Sequence, residues 1–162
     1  MAAISLPPAR NGADRLATVI GTWFGAGLSP KAPGTMGSLA ALPFAWGLVH
    51  FCGPAGLVVA AGFVFLAGWW ASNRLIARSG AEDPQLVVAD EVVGQWLTLA
   101  AVPFSPLTYL LGFALFRLFD ILKPFPVSWA DNLGGGFGVM LDDVLAGVYA
   151  GICLWLFHHY LG

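Results

Sequence analysis

Formal charge is missing from three long stretches of this chain, and that absence governs what the chain can fold into. No Asp, Glu, Lys or Arg occurs between Lys31 and Arg74, between Glu91 and Arg117, or after Asp143. An ordinary soluble domain carries about 25% charged residues with which to cover its surface. Here the charged fraction is 10%, the hydrophobic fraction 58% and the mean hydropathy +0.78. A bilayer removes the need for a polar surface, so the expected class is an integral membrane protein.

Within 162 residues there is room for one domain, taken as 1–162. Five apolar segments stand out, at about 39–51, 57–72, 92–102, 107–116 and 144–161. Cys52-Gly53-Pro54 separates the first two, and Pro103 and Pro106 separate the third and fourth. Most fall short of the roughly 20 residues of an ideal span, so charged helix ends must extend them. Backbone groups in hydrocarbon must satisfy one another, which favours helices throughout. The fold expected is therefore all-α, a membrane helical bundle of about five segments with short broken helices. The third and fourth could instead form a re-entrant hairpin. Gly62, Gly68, Ala146, Gly147, Ala150 and Gly151 would let helices approach closely.

Counting crossings from an N-terminal segment (1–20) on side A brings every charged residue to that side. The turns on side B, at 52–56 and 103–106, carry no charge. Lys and Arg concentrate on the cytoplasmic side of membrane proteins, so side A is expected to be cytoplasmic. Residues 1–20 contain Arg10, Asp14 and Arg15 and no apolar core, so no cleavable signal is expected. Cys52 and Cys153 lie in apolar sequence and are expected to be buried fillers rather than a disulfide or zinc site. No basic stripe of the kind that binds nucleic acid is present.

Four polar clusters converge on side A. Residues 25–38 combine Gly34 and Gly37 with Pro30, Pro33, Lys31, Thr35 and Ser38. A glycine-rich loop running into a helix start makes an anion site, although no Gly-Lys-Ser/Thr follows as in a Walker A loop. The bland alternative is a rigid loop capped by Ser38. Asp90-Glu91 enter the third segment, and Asn73-Arg74 close the second. One acid suffices to cap a helix, whereas adjacent carboxylates suit a hard cation. Arg117, Asp120 and Lys123 recur every three residues and form one polar stripe, which could be only an intrahelical ion pair. Asp131-Asn132 and the glycines of 134–138 precede Asp142-Asp143, which are expected to open the last helix. Asp90, Glu91, Asp120, Asp142 and Asp143 would repel one another on one face without a cation, and Mg2+ prefers such oxygen ligands.

His50, His158 and His159 fall on or near side B with both cysteines, which removes phosphohistidine and phosphocysteine intermediates. Neither a Cys-x5-Arg loop nor an Asp-x-Asp pair near the start is present. The simplest chemistry left is attack of a metal-activated water on phosphorus, with Asp143 or Glu91 taking the proton. An aspartyl-phosphate intermediate is the alternative.

The segments GLSPKAPGTMGS, DEVVGQW, FRLFDILKPFP and GFGVMLDDVLAG, in this order from about Gly25 to Gly151, resemble the phosphatidylglycerophosphatase A family. The resemblance implies a helical, magnesium-dependent phosphatase of the bacterial inner membrane. The reaction implied is conversion of phosphatidylglycerophosphate to phosphatidylglycerol and phosphate, the last step in making that lipid. It implies Asp90, Glu91, Asp120, Asp142 and Asp143 as metal-binding or catalytic acids. It also implies Lys31, Thr35, Arg117 and Lys123 as phosphate or headgroup contacts, to which the residue chemistry adds Gly34, Ser38 and Asn73.

Competing expectations are another lipid phosphomonoesterase, a lipid phosphotransferase using the same face, and a small cation transporter. A transporter should carry its acids near mid-membrane, whereas here they bracket the helices at one end.

Overall fold

The computed structural model describes residues 8–161, so the first seven residues of the N-terminal segment lie outside the described part. Every regular element among the described residues is helical: α1 (Gly12–Gly21), α2 (Pro33–Ser79), α3 (Ala89–Leu99), α4 (Pro106–Leu122), α5 (Val127–Asp131) and α6 (Gly135–Leu161). A single 3-10 turn, Ala26–Leu28, joins α1 to the loop before α2.

α2 is a hairpin of two arms. Gly53 breaks it with φ 69° and ψ 179° directly before Pro54, a residue that disfavours helical geometry in its predecessor. Gly37 on the first arm and Gly68 on the second both abut the start of α3. A Cβ at Gly37 would lie 2.6 Å from that of Val88, and one at Gly68 3.2 Å from that of Ala89. A straight helix would hold these two glycines about 46 Å apart. The break therefore falls where Cys52-Gly53-Pro54 predicts it.

α3 is the central element. Val92, Val93, Trp96 and Leu99 pack with Trp23, Ala41, Ala45, Leu57 and Ala61 in the largest buried cluster. Trp96 also donates its Nε1–H to the Ala41 carbonyl (3.0 Å), tying α3 to the first arm of α2. Ser105 and Thr108 form a reciprocal cap at the start of α4, with Pro106 in its first turn. α4 runs back along α3 and α6. Its Gly112 faces Leu99 and Leu154, and Phe116, one turn further on, packs against Gly94.

Two helix starts differ from the sequence expectation. α6 begins at Gly135, so Asp142 and Asp143 lie two turns inside it rather than at its opening. Gly134 and Gly135 turn the chain into it with φ 68° and 64°, and Gly136 serves close packing: a Cβ there would lie 2.8 Å from the backbone N and Oδ1 of Asn73 and from the Trp69 carbonyl. α2 begins at Pro33, so Ser38 is not a cap; it is buried in the second turn and donates to the Gly34 carbonyl (3.0 Å). Cys52 is exposed and Cys153 half-buried, so neither is the buried filler expected.

α2 and α6 are long and apolar enough to cross a membrane. α3, with 11 residues, is about 16 Å long and cannot by itself cross a hydrocarbon layer of about 30 Å. Large apolar side chains lie open on many faces, among them Phe51 (83% exposed), Phe63, Leu110 and Ile121. A water-facing domain buries most such groups.

Candidate active site

The starts of α2 and α3, the end of α4, the turn into α6 and loop 80–88 enclose one cavity of about 700 Å³. Its wall carries Asp90, Glu91, Arg117, Asp120, Lys123, Asp131, Asp142 and Asp143, so polar clusters distant in sequence meet here. Gly34 also lines it, and its lack of a side chain leaves room for two charged groups. A Cβ at that position would collide with Glu91 Oε1 and lie 3.0 Å from Arg117 Nη1.

The geometry divides the acids into two sets. Asp90, Glu91 and Asp143 offer oxygens that lie within 4.8 Å of one another. Asp90 and Asp143 are almost fully buried, and Glu91 Oε2 is buried without a hydrogen-bond partner. Asp120 and Asp142 are instead each tied to a base. Asp120 pairs with Arg117, whose Nη1 also stands 3.7 Å from Glu91 Oε1. Asp142 shares Lys123 with Asp131. Three carboxylates this close, two of them buried and the third half-buried with an unpartnered oxygen, repel one another by more than Arg117 at 3.7 Å offsets, and a cation between them would relieve this. The donor set is all oxygen and suits a hard divalent ion, so Asp90, Glu91 and Asp143 fit a metal site.

Helix geometry produces this cluster. Asp90 and Asp143 each stand one turn before a glycine, Gly94 and Gly147, and those glycines are where α3 and α6 touch. Thr98 staples the crossing, donating to the carbonyls of Gly94 (2.9 Å) and Gly147 (3.2 Å).

Lys123 ends α4 with φ 45°, a left-handed turn that directs the chain across to α5. Burial disfavours its ammonium, but hydrogen bonds to Asp131 and Asp142 outweigh that cost and hold its pKa above the ordinary lysine value. It is a fixed positive charge at neutral pH.

The remaining sequence-derived candidates lie elsewhere. Lys31 is exposed and Thr35 half-buried, on either side of the cavity-lining residues Ala32, Pro33 and Gly34. Asn73 lies outside the cavity wall, where its Oδ1 accepts the Gly136 N–H (2.9 Å) and caps the first turn of α6. Arg74 stands 3.9 Å from Asp14 of α1. Five lining residues with polar side chains were absent from the candidate set: Glu82, Asp83, Gln85, Asp131 and Asn132. The signal for the first three was a polar run around Pro84, in a chain that elsewhere spends few charges.

The fold and the cavity together define an all-helical protein with a carboxylate cluster fit for a metal ion and two fixed cations beside it. A family model described as phosphatidylglycerophosphatase A matches residues 19–158. The chain belongs to the phosphatidylglycerophosphatase A family and is a phosphatase of phospholipid metabolism.

A protein of Bacteroides thetaiotaomicron named "Putative phosphatidylinositol-3-phosphatase" is 49% identical over 150 residues, covering 86% of this chain and 91% of its own length. The phosphatidylglycerophosphatase A of Escherichia coli is 43% identical over 142 residues, covering 85% of this chain and 81% of its own. That of Haemophilus influenzae is 41% identical over 140 residues, covering 85% and 86%. No solved structure matches the chain.

Proposed function

We propose that this protein hydrolyses phosphatidylglycerophosphate to phosphatidylglycerol and inorganic phosphate, using Mg2+, at the cytoplasmic face of a bacterial inner membrane. The observation that carries this reading is the meeting of Asp90, Glu91 and Asp143 with Arg117 and Lys123 in one cavity. The 43% identity to the Escherichia coli phosphatidylglycerophosphatase A supplies the substrate.

Three carboxylates would hold the ion, and an ion there supplies positive charge to phosphate oxygens and acidity to water. The chain's own residues do the rest. Arg117 and Lys123 exchange part of their carboxylate pairing for phosphate oxygens. The first turn of α2, which has no side-chain cap at Ala32, faces the same cavity through Gly34 and adds the favourable end of a helix dipole. Glu91 or Asp143 accepts the proton of the attacking water as the new P–O bond forms, and that proton passes to the leaving glycerol oxygen as the ester P–O bond breaks.

The membrane reading rests on the hairpin of α2 and the length of α6, with α3 and α4 between them. Each stretch runs opposite to the one before it, and α3 runs parallel to α6. Every titratable cluster of the cavity then lies at one end of the bundle, where a lipid phosphate sits. The same end carries the chain's Lys and Arg, which favours the cytoplasmic side.

A second reading, hydrolysis of phosphatidylinositol 3-phosphate, is favoured by the name of the 49% identical relative. Phosphate release by purified protein in detergent tests both. The two lipids are assayed in parallel with Mg2+ and with chelator, beside Asp143→Asn. Release from phosphatidylglycerophosphate that needs Mg2+ and is lost in the variant supports the first reading. Faster release from the inositol lipid assigns the second, and no release from either lipid by folded protein removes both.

A further inference from the structure

Gln95 is fully buried, and neither its Oε1 nor its Nε2 has a hydrogen-bond partner. Burying an unpaired carboxamide is costly, and a methionine of similar length would fill the same place without that cost.

Ser72 Oγ, Trp23 Nε1 and Tyr109 OH are also buried without partners, but Glu91 is the unpartnered group that shares α3 with Gln95. Glu91 stands four residues before Gln95, which on a helix places the two side chains on one face, a turn apart. Glu91 Oε1 is directed at Arg117, while Oε2 is buried and unpartnered. A carboxylate in a metal cluster must present its oxygens in a fixed orientation, and a hydrogen bond from behind commonly sets it.

We propose that Gln95 is a positioning residue. Gln95 Nε2 and Glu91 Oε2 are each without a partner as the structure stands; when Asp90, Glu91 and Asp143 take up a divalent cation, the Gln95 Nε2–H turns to Glu91 Oε2 and holds that carboxylate in its ligating orientation. The proposal rests on the cation reading of the cluster. Gln95 touches neither phosphate nor the reacting atoms in this account.

The test compares wild type with Gln95→Met and Gln95→Leu by thermal unfolding in detergent, titrated with Mg2+. A positioning role has a distinctive sign. The metal-free variants should unfold at or above the wild-type midpoint, because an unpaired buried amide has been replaced by an apolar group. The Mg2+ concentration giving half of the stabilising shift should rise tenfold or more.

An unchanged Mg2+ half-point in either variant overturns the proposal. So does a fall in the metal-free midpoint of both variants, whatever the Mg2+ response, because it assigns Gln95 to core packing. If wild type itself shows no Mg2+-dependent shift, the cation reading fails first, and the positioning role falls with it.

Discussion

Gly94 of α3 and Gly147 of α6 meet backbone to backbone, so that a Cβ on Gly147 would lie 2.8 Å from the Gly94 Cα. Each follows its acid by one turn, Asp90 on α3 and Asp143 on α6, and the helices run in the same direction. Close approach at the glycines is therefore what brings the two carboxylates together. Gly147→Val should force the helices apart, at an overpacking cost of about 1–3 kcal/mol. Both the thermal midpoint and the Mg2+-dependent shift should fall, read in one detergent titration. A variant with lower stability but an unchanged Mg2+ half-point would show that the acids do not depend on this crossing.

The division of the acids predicts unequal effects of removing them. Asp143→Asn takes away a buried ligand of the three-carboxylate cluster, and should lower phosphate release about a hundredfold or more. Asp131→Asn removes a partly exposed partner of Lys123 while Asp142 still holds it, and should cost less than about tenfold. Rates measured at saturating Mg2+ decide between this ordering and one in which all acids contribute alike.

Much of this arrangement was legible from where the charges fall. Long uncharged stretches leave charge to their ends, and the clusters around Asp90, Arg117 and Asp142 do meet in one cavity. The hairpin break was legible too, because Gly53-Pro54 cannot continue a helix. What sequence spacing could not give was partnership. Arg117, Asp120 and Lys123 read as one stripe, yet Lys123 turns off the helix end in a left-handed conformation and reaches Asp131 and Asp142. The glycines at 134–138 read as a turn, and Gly134 and Gly135 do turn the chain at φ 68° and 64°, whereas Gly136 is small because Asn73 and Trp69 lie against it. Composition alone does not distinguish a glycine needed for φ from one needed for space.

Lys123 supplies a pH prediction. Its folded pKa lies above the ordinary value of 10.5. A raised pKa means that the stability contributed by the charged form is fully present below the unfolded-state value and is lost as pH rises through the folded one. On the alkaline side, the stability gap between wild type and Lys123→Met should therefore persist through mild alkali and close only in strong alkali. Thermal midpoints at a series of alkaline pH values measure it, and a gap already closed in mild alkali would mean that the Lys123 pairing does not hold its proton.

Asn73 was a candidate phosphate contact, but its Oδ1 accepts the Gly136 N–H and it does not line the cavity. Asn73→Ala should behave as the loss of a helix cap, costing about 1 kcal/mol of stability. Phosphate release per folded molecule should stay within about twofold of wild type, since the residue lies outside the cavity wall. A strong fall in activity at unchanged thermal midpoint would return Asn73 to the substrate site.

Gly34 gives the sharpest separation of stability from chemistry. In an ordinary helix interior, alanine in place of glycine is favourable by about 0.5–1 kcal/mol. Gly34 lies inside α2 at its first turn and has no positive φ to protect, so backbone propensity favours Gly34→Ala. The added methyl would nevertheless meet Glu91 Oε1 and stand 3.0 Å from Arg117 Nη1, pushing apart a cluster carboxylate and the guanidinium beside it. The expected outcome is a thermal midpoint near that of wild type with a loss of phosphate release of at least about tenfold. Full activity in Gly34→Ala would mean that Glu91 and Arg117 can shift freely, and their present spacing would then carry no catalytic meaning.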